Sequence, residues 1–455
     1  MLFSFMSLSP WIWRSIPLQK RTGSDVFAAL FLSDEIAVLL ESPYPTSPDY
    51  PQLGRFSICA GQPRANQVWT PAIGEILPFL NQLIAQPSTS KAPEHLPFTG
   101  GWLGWLGYDL AWEIERLPYL KEDSLPFPVA FWYEPECFAV LDHEQQILWL
   151  AASDKSQLNQ LEKRLSDVVQ ATGGSSAFQT QFCMEQADYE AIVLKAKQHI
   201  RAGDIFQANL SLRFEARTQS ESWAIYRSLQ SINPSPFASY WKTPCGDVIS
   251  CSPERLVKLE NGIAQTRPIA GTRPRGTTPE HDRQLTQELL DNTKEQAEHI
   301  MLVDLERNDL GRVCEWGTVQ VDELLVVEHY SHVMHLVSNV IGKVRSEFDS
   351  IDVIRALFPG GTITGCPKVR CMEIVETLEP VRRSLFYGSC GYLDRRGNLD
   401  LNILIRTLLY AKDGDLAIVW GQVGAGIVAD SDPEREWFES LQKARAQLAA
   451  LGQQS

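Results

Sequence analysis

Two sets of acidic residues stand out by their spacing. Asp291, Glu295 and Glu298 are four and three residues apart in a stretch (280–303) rich in helix formers that starts after Pro279. Glu436, Glu439 and Lys443 are three and four residues apart after Asp430, Ser431 and Asp432, which supply cap chemistry, with Pro433 suited to a first turn. Side chains three and four apart share a helix face. Alone, each set describes a solvated helix surface. Two such faces meeting would make a hard oxygen site for Mg2+, which takes one or two carboxylates together with water and substrate oxygens.

Glycine-dense segments form a second group. Residues 358–368 (FPGGTITGCPK) precede a helical run at 369–378, and backbone amides at such a start can bind a carboxylate, with Lys368 adding charge. Residues 421–426 (GQVGAG) read as a similar turn after the apolar strand 416–420. Neither has the spacing of a phosphate-binding P-loop. In 100–107 (GGWLGWLG) the glycines fit close packing of backbone against tryptophan. Arginines form a third group. Arg267, Arg273 and Arg275 flank 269–272 (IAGT), Arg255 ends Ser252-Pro253-Glu254-Arg255 after a short strand at 248–251, and Arg406 ends an apolar run. Each could grip a carboxylate of a dianionic substrate in bidentate fashion, or simply pair with an acid of the protein.

The elements that must position these residues differ along the chain. The first 150 residues are rich in proline and tryptophan, with short strands expected at 36–40 and 139–141. A polar stretch at 171–179 reads as a linker. Beyond it, apolar residues at Ile192, Val193, Ala196 and Ile200 have helical spacing, stopped by Gly203. The expected organisation is an N-terminal region over 1–170 and a catalytic region over 185–447. The net charge of −15 without a basic block argues against nucleic acid binding. Nine cysteines without a CxxC pair suit a reducing cytoplasm and small buried side chains, and give no zinc signature. No stretch reaches the roughly 18 apolar residues of a membrane span, so a soluble cytoplasmic protein is expected.

In this order, the motifs resemble the chorismate-utilising enzymes, which include the large components of anthranilate synthase and aminodeoxychorismate synthase, isochorismate synthase and salicylate synthase. The resemblance rests on 39–42 (LLES), 101–109 (GWLGWLGYD), 203–207 (GDIFQ), 252–255 (SPER), 266–275 (TRPIAGTRPR), 302–313 (LVDLERNDLGRV), 358–368, 388–392, 405–407 (IRT) and 424–430 (GAGIVAD). It implies an α+β fold with two antiparallel β-sheets packed face to face and helices outside. It implies that chorismate binds in a cleft with Mg2+, that Glu298 and Glu439 hold the metal with Glu436 beside them, and that Glu254 is the general acid for the C4 hydroxyl. A carboxyl in that role must stay protonated at neutral pH, so burial should raise its pKa. His335, a further catalytic position, and Thr272, Tyr387, Arg406, Gly424 and Lys443 match positions that hold the substrate's carboxylates or line the pocket. Leu40 and Ser42 match a tryptophan pocket, so tryptophan joins chorismate as an expected ligand.

Gln207 stands where water-adding members of this group carry a lysine base, and it cannot act as that base. The resemblance therefore implies an aminase that takes ammonia from a separate glutamine amidotransferase small subunit. Ala270 stands where many aminodeoxychorismate synthases have a nucleophilic lysine, which resembles anthranilate synthases, whereas 360–364 (GGTIT) resembles the aminodeoxychorismate pattern. Aminodeoxychorismate synthase component I is the leading expectation and anthranilate synthase component I the alternative. A catalytically silent tryptophan-binding regulator would have lost its acids, and Glu254, Glu298 and Glu439 are all present.

Overall fold

Apolar runs in this chain become strands buried on both faces, as in Gly101–Leu106, Ala130–Pro135 and Ser389–Asp394, where every residue is buried. Such strands need a cover on each side, and the fold supplies one. The computed structural model describes residues 10–42, 51–86, 92–165, 177–329 and 333–452.

Two antiparallel sheets form the body. The 12-stranded sheet runs Ile12–Pro17, Ile147–Ala152, Cys137–Asp142, Phe56–Ala60, Ala37–Glu41, Phe237–Thr243, Gly246–Ser252, Thr407–Asp413, Leu416–Ile427, Gln207–Thr218 and Gly365–Cys366, with Ala177–Phe182 also on Gln207–Thr218. The 10-stranded sheet runs Ile269–Pro274, Val333–Lys343, Ile263–Thr266, Arg255–Glu260, Leu399–Asn402, Ser389–Asp394, Gly101–Leu106, Ala130–Pro135 and Pro63–Trp69, with Gln320–His329 on Val333–Lys343. Both sheets cross the division expected near residue 170. Leu40 lies opposite Ser239, and Gly104 opposite Gly391.

The main core lies between the sheets. Val38, Val140 and Trp241 from one meet Trp105, Trp132 and Leu401 from the other. Burying each aliphatic side chain there contributes roughly 1.5–3 kcal/mol relative to exposure. Gly104 is required by this packing, because a Cβ would come 2.3 Å from the Trp132 ring. Helices Gly23–Leu30, Ser222–Ile232 and Pro433–Ala450 cover the outer face of the larger sheet. Pro279–Asp291 and Thr293–Gly311 lie against the end of the smaller one.

Several local expectations are met. Gly203 ends the Gln186–Ala202 helix in the left-handed region at φ 79°. Asp432 caps Pro433–Ala450 by accepting from the Arg435 amide at 3.0 Å. Three readings need correction. The stretch 280–303 is two helices, because Asn292 leaves helical geometry and its Oδ1 accepts from the Glu295 amide at 3.1 Å, capping a second helix. Asp291 therefore does not continue the face of Glu295 and Glu298. The glycines of 421–426 lie inside the strand Leu416–Ile427, not in a turn. The linker expected at 171–179 falls mostly outside the described residues, and 177–179 open a strand.

Candidate active site

Glu254 sits where the chain crosses from the larger sheet to the smaller, between Gly246–Ser252 and Arg255–Glu260. The corner is fastened on three sides. Ser252 Oγ donates to the Ile403 carbonyl at 2.6 Å, the Glu254 amide donates to Ser252 Oγ at 3.3 Å, and the Ile403 amide donates to the Glu254 carbonyl at 3.0 Å. Arg255 turns away to a bidentate pair with Asp400, 2.9 Å on each arm. The Glu254 side chain is buried, and among the described residues no cation acts on it. Burial pushes its pKa up to about 8 and the nearby Glu306 adds to the rise, against smaller opposing pulls from the Thr362 hydroxyl and the Ile269 amide. A carboxyl in that state is a proton donor at neutral pH.

Gln207 opens the strand Gln207–Thr218, opposite Cys366 of the short strand Gly365–Cys366. Its carbonyl accepts from Cys371 Sγ at 3.0 Å, and its side chain is buried over Gly426. Among the described residues the Oε1 atom has no hydrogen-bond partner. A buried acceptor left unmade costs on the order of 1–3 kcal/mol, so it marks a place where a hydrogen-bond donor belongs.

Thr272 and His335 face each other on neighbouring strands, with Oγ1 and Nδ1 3.0 Å apart. Burial, and then the charge of Arg406, push the His335 pKa down to about 3, so the imidazole is neutral. Ala270 lies on the same strand opposite Leu336 and presents only a methyl group. Arg406 follows at the end of 403–406 with φ 49°. Its guanidinium donates to Asn233 Oδ1 at 2.9 Å, and among the described residues no carboxylate pairs with it. Burial accordingly pulls its pKa down. Tyr387, also at positive φ (65°), is buried, and burial raises its pKa against smaller opposing pulls from Arg383 and the Ser211 hydroxyl. The other arginines singled out from sequence are engaged by the protein itself. Arg267 binds Glu323 and Glu328, Arg273 binds Glu295 at 2.9 Å, and Arg275 binds Asp282 at 2.7 Å. Lys368 is likewise paired, with Asp309 at 2.6 Å. These four do not serve as free anion grips; Arg406 can.

Glu298 on Thr293–Gly311 and Glu436 and Glu439 on Pro433–Ala450 lie near enough to feel one another. The Glu298 pKa is raised by burial and then, among charges, by Glu439; that of Glu436 is raised by burial and by Glu439. Each helix supplies its own counter-charge. Lys294 is 3.6 Å from Glu298, and Lys443 is 2.8 Å from Glu439 while donating to the Gly424 carbonyl at 3.0 Å. Among the described residues no three metal-ligating side chains already converge. The donors are nonetheless all carboxylate oxygens in a shared repulsive field, which fits a hard divalent cation.

Two further residues, Glu306 of the 302–313 motif and Asn402, which stands where the resembling family more often has Thr, Ser or Ala, are placed by the fold. Glu306 is a buried acid on a helix face that also buries Leu302, Val303 and Leu310 together with the polar His299 and Asp309. Asn402 donates to the Phe237 carbonyl at 3.2 Å and accepts from the Cys390 amide at 3.0 Å. It borders a separate cavity of about 130 Å3, which Leu40 and Ser42 also line together with Pro236 and Phe237. Ser42 donates to the Pro236 carbonyl across its rim. Five of the nine cysteines are buried, Cys183 is exposed, and among the described residues no helix is long and apolar enough to cross a membrane.

Residues 37–449 match the family described as chorismate binding enzyme. The chain is 63% identical, over 98% of its length and 93% of the relative's, to an anthranilate synthase component I-like protein of Synechocystis sp.. It is 40% identical to aminodeoxychorismate synthase component 1 of Bacillus subtilis over 96% of both chains. Its fold matches the crystal structure of anthranilate synthase component I from Streptococcus pneumoniae with a TM-score of 0.78 and 33% identity, covering 87% of this chain and 92% of that one. A buried acid held protonated, a half-buried guanidinium that no carboxylate pairs with among the described residues, and glutamates of two helices that feel one another thus lie in a chain that belongs to the family of chorismate binding enzymes.

Proposed function

We propose that this protein aminates chorismate with ammonia supplied by a glutamine amidotransferase small subunit, giving 4-amino-4-deoxychorismate on the way to p-aminobenzoate and folate. The observation that carries this reading is Gln207, a buried neutral amide with an unmatched acceptor. An amide cannot draw a proton from water, and its Oε1 can accept an N–H of ammonia. In this reading Arg406 takes a ring carboxylate, with Thr272 and neutral His335 beside it. Glu254 gives its proton to the departing C4 hydroxyl, which leaves as water. Ammonia forms the C–N bond with its lone pair, and the extra proton of the resulting ammonium group returns to the Glu254 carboxylate, so chorismate and ammonia give the amine and water. Glu298, Glu436 and Glu439 would hold Mg2+, whose bound charge would fasten a substrate carboxylate and favour electron flow toward it. The aminodeoxychorismate product is in keeping with the printed name of the Bacillus subtilis relative.

Ala270 favours a second reading. It offers no amine, so ammonia itself must attack the ring. Attack at C2 with departure of the C4 hydroxyl as water, followed by loss of pyruvate, gives anthranilate, in keeping with the printed name of the Synechocystis relative. Incubation with chorismate, Mg2+ and ammonia separates the two. Anthranilate is fluorescent and is released with pyruvate by the one enzyme, whereas aminodeoxychorismate needs an added lyase before p-aminobenzoate is formed. Dominant anthranilate would overturn the first reading.

A further inference from the structure

We propose that Asn233 is a positioning residue for substrate binding: its side-chain amide fixes the guanidinium of Arg406 in the orientation that receives a carboxylate of the substrate. This rests on the reading of Arg406 as the carboxylate grip.

Asn233 ends the helix Ser222–Ile232, where its backbone N–H donates to the Leu229 carbonyl at 2.8 Å. The helix end is therefore closed by backbone, and the side chain is engaged elsewhere. Nδ2 donates to the Cys251 carbonyl at 3.3 Å and to Ser235 Oγ at 3.1 Å, while Oδ1 accepts from Arg406 Nη1 at 2.9 Å. Cys251 also holds the other partner, since its amide donates to the Arg406 carbonyl at 3.2 Å. Asn233, Cys251 and Arg406 thus close a ring of three hydrogen bonds, tied to the strand Gly246–Ser252 that leads into Glu254. The polarity of the ring fixes the amide. Turned over, its oxygen would meet the Cys251 carbonyl and its NH2 would meet a guanidinium, which has no acceptor. Arg406 itself sits at φ 49°, a left-handed backbone that a residue with a side chain keeps only where its surroundings hold it.

A guanidinium carries five N–H groups, and among the described residues Asn233 Oδ1 is the one side-chain acceptor that meets them. Contact through Nη1 leaves the Nε–Nη2 edge for bidentate binding of a carboxylate. The neutrality of the acceptor decides its role. A carboxylate at position 233 would pair with Arg406 and compete with the substrate, whereas an amide orients the charge without cancelling it.

Ammonia-dependent kcat and KM for chorismate, with melting temperatures, test this in wild type, N233A, N233D, R406M and the N233D/R406M double variant. KM should rise roughly 10-fold in N233A, the scale of one hydrogen bond to a charged group, with kcat little changed. N233D keeps the shape of the side chain and an acceptor toward Arg406, yet should raise KM further than N233A. Once Arg406 is methionine, N233D should raise KM no further. A merely structural role predicts the opposite order, because aspartate fills the site and alanine empties it. An unchanged KM in N233A, a lower KM in N233D than in N233A, or an equal effect of N233D with and without Arg406 would each overturn the proposal. An unaltered KM in R406M would instead remove the reading of Arg406 as the grip; a raised one leaves the Asn233 variants as a test of Asn233 alone.

Discussion

The side-chain amide of Gln207 lies across the Cα of Gly426 on the neighbouring strand, so closely that a Cβ there would stand 2.3 Å from Nε2. Gly426 has no left-handed φ, so alanine fits its backbone and only the contact changes. Gly426→Ala should therefore displace the amide without unfolding the strand. Ammonia-dependent turnover should fall roughly 10- to 100-fold, the scale on which misplacing a reacting group acts, with the KM for ammonia rising more than that for chorismate. Steady-state kinetics with ammonium salts check this, and unchanged kinetics would remove Gln207 from the ammonia site.

Arg406 differs from its neighbours in kind. Its charge is half-buried, and among the described residues only the neutral Asn233 side chain holds it. A desolvated unpaired charge weakens the fold, so Arg406→Met should leave the melting temperature unchanged or raise it. The same change should raise the KM for chorismate roughly 100-fold, since a charge-assisted bidentate contact contributes about 3 kcal/mol. A drop in stability with an unaltered KM would make Arg406 structural.

Much of this was legible from local chemistry. Asp432 with Pro433 marks a helix start, Gly203 marks a stop, and the spacing of Glu436 and Glu439 marks a face. The break at Asn292 was not, because asparagine fits a helix interior poorly but does not forbid it, and only the capped Glu295 amide decides. Nor was the difference between Arg406 and Arg267. Their partners are distant in sequence, and Arg267 is engaged by Glu323 and Glu328 only once the sheet is formed. Glu306 looks like one more charge in a charged motif until the helix turns it inward. The interleaving of early and late strands in both sheets likewise has no local signature, since pairing partners such as Leu40 and Ser239 are chosen by the whole fold.

The facing glutamates predict a metal-dependent loss. Glu439→Gln keeps the size of the side chain and removes a charge that the other acids feel. Activity should become undetectable at ordinary Mg2+ while the circular dichroism spectrum stays unchanged. Stabilisation of the wild-type melting temperature by added Mg2+ should also disappear in the variant, as expected for loss of a ligand that binds only the folded state. Near-normal activity would refute the metal assignment.

Acid should unfold this protein through its buried histidines. His299, whose Nε2 is 2.6 Å from Ser338 Oγ, is fully buried, and burial pushes its pKa down to about 4. His143 is pushed down to about 4 and His335 to about 3 for the same reason. Each is neutral when folded and titrates near 6.5 when unfolded. Their contribution is therefore complete above the unfolded value and is lost as pH falls toward the folded one. By about pH 5 each should have cost the fold roughly 2 kcal/mol. Glu254 runs the other way: its raised pKa gives stability that is complete below 4.5 and lost as pH climbs through about 8. Urea unfolding of wild type and His299→Gln near pH 7 and pH 5 isolates one of these terms. The variant should lose about 2 kcal/mol less than wild type between the two conditions. An identical loss in both would mean that His299 does not take up a proton on acid unfolding.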